Sequence, residues 1–482
     1  MASSILRWIS RKAAARSLPL PNSLNSSCGC GGSSAATWRR RIGTMSGVSD
    51  ESVLCPSSLS SRISPWLMLP PAVEGTENNM VYKFYSLAED KIISLNKRRG
   101  GEEEEANVEL GPPGDESLLK GSSHGWLALF NPRNCDLFLY NPLSRRQVKL
   151  PPIHTLSIPE DNLECGYGCI ENLIISCSPD EEECRAMMSF GPEDRLAFCC
   201  PGRSTEWTHI GELYDSEEDH DVARCYVSFV YSSTHKLFFC VTQFAEFEAW
   251  DLQDPSSPRL IPLDPSCEDD HYPWAARSEE ELILKQLCRR LKFLVVDSSS
   301  GQLYYIIRYV MEHMAPDGSY AEDDMYPYKT IGFDVHKLDS ENNVLRYMEN
   351  SLDGLAIFIG NNHPFALRAS DFPGFKPNSI YFTDVNVLIP NPTFGGHDIG
   401  IFNYEDGTFS PCYYPCDVKS FRRIFPPPTW RTAMSKTRKV KGVGWDIAAI
   451  GNAKETSITQ YCNRLESDYR YIISNEVYCS YR

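Results

Sequence analysis

Six short patterns in the sequence combine residue types that could do chemistry. Gly121-Ser122-Ser123-His124-Gly125 has the form G-x-S-x-G. A serine nucleophile in that frame needs a buried strand before it and a helix after it, so that a strained turn lifts the hydroxyl. Here a Gly/Pro/acid stretch runs into the pattern and GWLALF, an extended apolar run, follows. The pattern therefore reads as small residues that ease the chain into a sheet. His220 and His271 sit inside EEDHD and EDDH. Neither segment has the D-x-D-x-D-G ladder of a calcium loop or the converging ligands of a zinc site, so both read as solvated acidic loops.

The remaining candidates fail on the same kind of test. Cys165/Cys169 and Cys412/Cys416 are C-x-x-x-C pairs with no C-x-x-C knuckle to complete a metal site. Gly442-Val443-Gly444 lacks the third glycine and the preceding strand of a dinucleotide site. His154, His209 and His363 lie by turns with no paired base or nucleophile in the sequence around them. No residue is nominated as catalytic, cofactor-binding or metal-binding. The expectation is a protein that is not an enzyme and uses no cofactor.

The elements that would hold such residues are short strands. From Val81 onward, apolar runs of four to eight residues alternate with Asn-Pro, Asp-Gly, Gly and Ser turns. Ser278–Leu291, with leucines at helical spacing, is the one helix candidate. A loose strand-turn-strand repeat starts at Leu137, Leu196, Phe247, Ile331 and Ile399, each with a further strand or hairpin upstream. The separations, 59, 51, 84 and 68 residues, exceed a bare propeller blade of roughly 40–50. Long connecting loops account for the excess. Successive four-stranded units argue for radial closure, because a ring hides sheet edges that would otherwise pair with other chains. The fold expected is all-β: a β-propeller of about six four-stranded blades, five or seven being tolerable. Val81–Leu87 and Lys91–Leu95 are expected to complete its last blade.

Charge separates the N-terminus from the body. The 482 residues carry a net charge of −17, yet residues 1–49 hold seven basic residues and no acid, which leaves 40 basic against 64 acidic residues, or −24, beyond them. An acidic body repels phosphate backbones, so nucleic acid is not an expected partner. No apolar run approaches the ~18 residues of a membrane-spanning helix. Many of the 18 cysteines lie inside apolar runs such as LFFCV and read as small buried hydrophobes. Ile5, Leu6, Trp8, Ile9 and Ala13 share one helical face while Arg7 and Arg11 take the other, and serine-rich, acid-free sequence follows. That is the composition of a transit peptide, expected over residues 1–45 and disordered before import. Early arginines favour mitochondria, with plastids as the alternative. A linker over 46–63, a propeller over 64–430 and a divergent tail over 431–482 complete the expected organisation.

Several long stretches resemble the plant KIB-type β-propeller family: SPWLMLPP from Ser64, FYSLAEDKIISL from Phe84, and GSSHGWLALFNPRNCDLFLYNPLSRRQVKLPP from Gly121. LDGLAIFIGNNHPFALRASDFPGFKPNSIYFTD from Leu352 and IGIFNYEDGTFSPCYYP from Ile399 continue the match in the family's order. Many relatives carry an N-terminal F-box, which would make the propeller a substrate adaptor of a ubiquitin ligase. The short basic region before Ser64 lacks the leucine-rich helices of an F-box, so the chain resembles the organellar branch without one. The presequence, the propeller pattern and the absence of a catalytic constellation together lead to the expectation of a monomeric, non-catalytic organellar module with protein partners. A ligase-adaptor relative and a ligand-binding or enzymatic propeller are the alternatives.

Overall fold

The computed structural model describes residues 65–70, 72–74, 79–87, 91–95, 117–142, 144–156, 170–191, 195–211, 225–263, 265–267, 279–313, 328–339, 342–372, 374–385, 395–412, 429–431 and 448–449. The expected presequence, the linker over 46–63 and most of the tail lie outside them, as do His220, His271, Cys165, Cys169, Cys416 and Gly442–Gly444.

Four strands come first: β1 (Trp66–Met68), β2 (Ala72–Glu74), β3 (Asn79–Ser86) and β4 (Lys91–Leu95). Three separate antiparallel sheets follow. The first unit is β5 (Leu118–Ser123), β6 (Trp126–Asn131), β7 (Asp136–Asn141) and β8 (Arg146–Lys149). The second is β9 (Ile170–Ile175), β10 (Ala186–Phe190), β11 (Arg195–Cys199) and β12 (Thr208–Ile210). The third is β13 (Tyr226–Ser232), β14 (Leu237–Thr242), β15 (Phe247–Asp251) and β16 (Arg259–Leu263). After β17 (Ser266–Cys267) and helix α1 (Glu279–Gln286) comes the fourth unit, β18 (Arg289–Asp297), β19 (Leu303–Glu312), β20 (Tyr328–Asp339) and β21 (Val344–Tyr347). The fifth holds β22 (Leu355–Ile359), β23 (Phe365–Arg368), β24 (Ser379–Phe382), β25 (Gly400–Asn403) and β26 (Thr408–Ser410). Parallel pairing of β18 with β23 joins these two units into one ten-stranded sheet, with β17 on its outer edge.

The sixth unit is made from both ends of the chain. β27 (Thr429–Arg431) pairs with β1, β1 with β3, and β3 with β4; β28 (Ala448–Ala449) adds a rung outside β4. The two early strands expected to complete the last blade therefore do so. The sheet also reaches into the segment expected to be a divergent tail, through Arg431 and β28.

Six buried clusters, one between each pair of neighbouring units, hold the ring. Because alternate residues of a strand face opposite sides, a single strand serves two clusters. Leu173 and Ile175 pack toward the first unit, and Ile174 between them packs toward the third. In the closing unit, Leu67 and Trp430 face the fifth unit while Met68 and Phe84 face the first. Both faces of each sheet are buried, which is why runs such as LFFCV carry no clean polar alternation.

The first strands of the units lie side by side around the centre, β5 beside β9 and β13 beside β18. Serines stitch these edges. Ser123 Oγ accepts the Ile175 N–H at 2.9 Å, and Ser228 Oγ accepts the Leu294 N–H at 3.0 Å. Each bond satisfies a backbone donor outside the strand pairing.

The helix candidate is shorter than its leucine spacing suggested. α1 stops at Gln286 and Arg289–Leu291 begins β18, because pairing with Arg308–Val310 of β19 outweighs local helical preference. Lys285 on α1 is buried against Asp334 of β20 at 2.8 Å, and Tyr309 Oη donates to the same carboxylate at 2.7 Å.

Close approach of β5 to β9 requires a glycine. A Cβ on Gly121 would lie 2.0 Å from the Leu173 carbonyl oxygen, whereas one on Gly332 in β20 would meet nothing within 4 Å. Gly121→Ala is expected to cost about 1–3 kcal/mol by overpacking, and Gly332→Ala to leave stability within about 0.5 kcal/mol of the parent. Urea unfolding of the two variants checks the contrast.

Candidate functional site

The G-x-S-x-G pattern lies on β5 and the turn after it. A strand does precede the serine, contrary to the loop expected there; the missing part is the helix, since β6 follows. His124 (φ 49°) and Gly125 (φ 80°) form a two-residue hairpin turn with both residues left-handed, the geometry that matches strand twist. Ser123 stays in the strand, buried, its hydroxyl oxygen taken by the Ile175 N–H. The pattern shapes a hairpin and does not lift a nucleophile.

That turn stands at the centre of the ring, beside a segment 239 residues away in the chain. The connection between β22 and β23 carries His363, whose N–H donates to the Ser122 carbonyl at 2.8 Å. Its Nε2 accepts the Tyr231 N–H at 3.2 Å. Ser122, Tyr231 and His363 belong to the first, third and fifth units, which are not neighbours, so these bonds cross the central axis. The His124 ring faces the His363 ring with centroids 6.3 Å apart. Protein packed around the turn lowers the pKa of His124 to about 4 by desolvation, although the residue itself is exposed. Enclosure first, and His124 second, lowers that of His363 to about 3. Both imidazoles are therefore neutral at physiological pH.

Around them lie polar groups held without chemistry in view. Asn362 donates through Nδ2 to the His363 carbonyl at 2.9 Å, while its Oδ1 and the Thr383 hydroxyl are buried beside Gly360 with no hydrogen bond. Between the fourth and fifth units, Arg308 is 1% exposed and donates to Thr330 Oγ1, to the Thr383 carbonyl and to Asp398 Oδ2. Asp398 also takes the Thr330 N–H at 3.0 Å and hydroxyl at 2.6 Å, and Tyr328 Oη donates to Asp384 at 2.8 Å. This network is closed on itself. A buried pair so bonded fixes the angle between two units and is costly to break from one side.

Of the other sequence candidates, His154 is exposed in a short 3-10 turn and His209 lies on β12, edge-on to Phe190 at 5.7 Å. Cys412 is a buried free thiol. Among the described residues no three His, Cys, Asp or Glu side chains converge closely enough to hold a metal ion. The paired histidines and the Arg308–Asp398 link were not legible in the sequence, since their separations carry no local signal.

The histidines have a pH consequence with a definite sign. An unfolded imidazole takes a proton near pH 6.5, whereas His124 and His363 in the folded chain resist it to about pH 4 and about pH 3. Their contribution is complete above pH 6.5 and is lost progressively as pH falls through that window. Unfolding free energy between pH 7 and 4 should fall less steeply for the His124→Asn/His363→Gln variant than for the parent. Parallel curves would show that the two rings take up protons freely in the ring's centre.

Comparison with known proteins agrees with this geometry. Over 85 residues the chain is 38% identical to F-box protein At2g17690 of Arabidopsis thaliana, a stretch covering 17% of this chain and 18% of that protein. It is 35% identical over 84 residues to the putative F-box protein At1g65770 of the same plant, covering 17% and 23%. The chain thus spans less than a quarter of the length of these curated relatives. Among solved structures it is similar to the Myceliophteria thermophila Cps50 (Swd1) β-propeller domain, with TM-score 0.28 and 10% identity over 68% of this chain and 81% of that one. The C-terminal WD40 domain of Sif2 gives TM-score 0.25 at 9% identity over 66% and 75%. Scores at this level do not carry the assignment, which rests on a match to the KIB1-4 beta-propeller family spanning residues 68–403. With more than half its length inside that match, and a ring closed by its own two ends, the chain belongs to the KIB1-4 β-propeller family.

Proposed function

We propose that this propeller is a protein-interaction module that works inside an organelle, and that it binds through one end of its ring. The observation that carries the reading is where the long connections leave the sheets. Segments 96–116, 157–169, 212–224, 268–278 and 413–428 each lead toward the first strand of a unit, and 314–327 joins the second and third strands of the fourth. Strands alternate in direction within a unit, so all of these connections leave from the end opposite the His124–Gly125 turn. Binding residues in such scaffolds sit on connections displayed by a rigid frame. The five segments other than 413–428 hold 23 acidic and five basic residues, so that end favours a partner with a basic surface.

The closed networks described above support a module that holds shape and binds, in preference to one that turns over a substrate. The test is comparative capture. A variant with Asp215, Glu217, Glu218, Asp219 and Asp221 changed to Asn or Gln should keep the parent's melting temperature and lose proteins that the parent recovers at low salt. Equal recovery by both chains would remove this end from consideration. The F-box names of the Arabidopsis relatives belong to those proteins; recovery of a ligase adaptor subunit by the parent would favour the adaptor reading instead.

The organellar part rests on the contrast between seven basic residues in the first 49 and a −24 remainder. Replacing Arg7, Arg11, Lys12 and Arg16 with Glu reverses that charge while largely keeping helix propensity. Fluorescent fusions of the parent should enter mitochondria, or plastids on the alternative, and the Glu variant should stay in the cytosol. Import of the Glu variant would place the address elsewhere.

A further inference from the structure

The β9–β10 hairpin carries two cysteines that the sequence, with six residues between them, did not pair. Register fixes their relation: Ile175 lies opposite Ala186, so the next rungs set Ser176 opposite Arg185 and Cys177 opposite Cys184. The neck holds that register beyond the strands. The Ser176 N–H donates to the Arg185 carbonyl at 2.9 Å, and the Arg185 N–H to Ser176 Oγ at 2.9 Å. Arg185 is itself fixed to the third unit, donating through Nε to the Leu252 carbonyl at 2.8 Å and through Nη2 to that of Gln253 at 2.7 Å. Beyond the cysteines, Asp180 is tied to Arg146 and the Glu181 carbonyl to Arg203. Directly opposed residues have Cβ atoms about 4.5–5.5 Å apart, close to the separation of about 3.5–4.5 Å in a disulfide.

From this geometry we propose that Cys177 and Cys184 form a peroxide-reactive dithiol that oxidises to an intrachain disulfide across the neck of the hairpin. The two residues have different parts. Cys177 is half-buried and reachable; its sulfur accepts a hydrogen bond from Ser176 Oγ at 3.8 Å. The neighbouring Cys184 side chain first, with Ser176 behind it, draws its pKa below the ordinary thiol value, against partial burial and the lesser charges of Glu181 and Glu183. Cys184 is buried and its thiol donates to the Cys177 carbonyl oxygen at 3.3 Å; the neighbouring Cys177 side chain first, and burial second, keep it protonated. Thiolate character and exposure select the attacking sulfur.

The reaction balances with hydrogen peroxide as oxidant. The Cys177 thiolate attacks one peroxide oxygen, forming an S–O bond as the O–O bond breaks, and hydroxide leaves to take up a proton. Cys184, losing its proton, then attacks the sulfenic sulfur; the S–S bond forms, the S–O bond breaks and water leaves. Two thiols are oxidised by two electrons and one peroxide becomes two waters. The product locks a segment already clamped at both ends, so it needs no rearrangement of the ring.

Non-reducing peptide mapping of the full, reduced chain after brief peroxide treatment tests this. A Glu-specific protease cuts within Glu181–Glu183, so the two halves of the hairpin should remain joined, two hydrogens lighter than their sum, before any other described cysteine changes. In Cys184→Ser the reaction should stop at a dimedone-trappable sulfenic acid on Cys177. In Cys177→Ser, Cys184 should stay alkylatable after denaturation. A Cys184–Cys199 link, a persistent Cys177 sulfenic acid in the parent, or oxidation elsewhere while both thiols survive would each overturn the proposal. The parent's map decides the matter even if a variant fails to fold.

Discussion

Every sheet in this ring has two apolar faces and only one place for each to go, namely against the next sheet. Six inter-sheet clusters follow from that constraint, and the last two exist only if the chain's ends share one sheet. Joining ends some 360 residues apart costs an unstructured chain about 5 kcal/mol and more. Five stacked units reduce that cost by curving round until Thr429 faces Met68. Trp430, fully buried against Phe358 and Tyr381, then contributes several kcal/mol on its own, by the scale of about 3–5 kcal/mol for Trp→Ala in a core.

A ring held by apolar faces alone would tolerate sliding of one sheet over another. Polar groups remove that freedom because they are directional. Ser123 and Ser228 set the height of one first strand against the next, and Arg308 with Asp398 sets the fourth unit against the fifth. His363 does the same across the middle by binding the backbones of two units other than its own. Neutral imidazole suits this place: it accepts one hydrogen bond without bringing a charge into an enclosed space, where an unpaired ion would cost several kcal/mol.

The two ends of the ring differ for a topological reason. Tight turns such as His124–Gly125 close one end, whereas the connections between units must travel from the outer strand of one to the inner strand of the next. The fourth unit adds a brace of its own. α1 leads into β18, and Lys285 ties it to Asp334 at the price of two buried charges that Tyr309 helps to satisfy.

Strand-forming runs, their turns and the strand-turn-strand repeat were legible in the sequence, because apolar runs and Asp-Gly or Asn-Pro turns act over a few residues. Charge contrast and the family-like stretches were legible for the same local reason. The hairpin of β5 was missed, since LLKGSS is too polar to read as a strand until Gly121 and Ser123 are seen against β9. The helix end was misplaced because pairing of Arg289–Leu291 with β19 acts through contacts the window did not contain. What only tertiary structure decided was which distant residues meet: His124 with His363, Arg308 with Asp398, Thr429–Arg431 with Trp66–Met68. Those meetings depend on the curvature summed over all six units, a quantity that no short stretch of sequence carries.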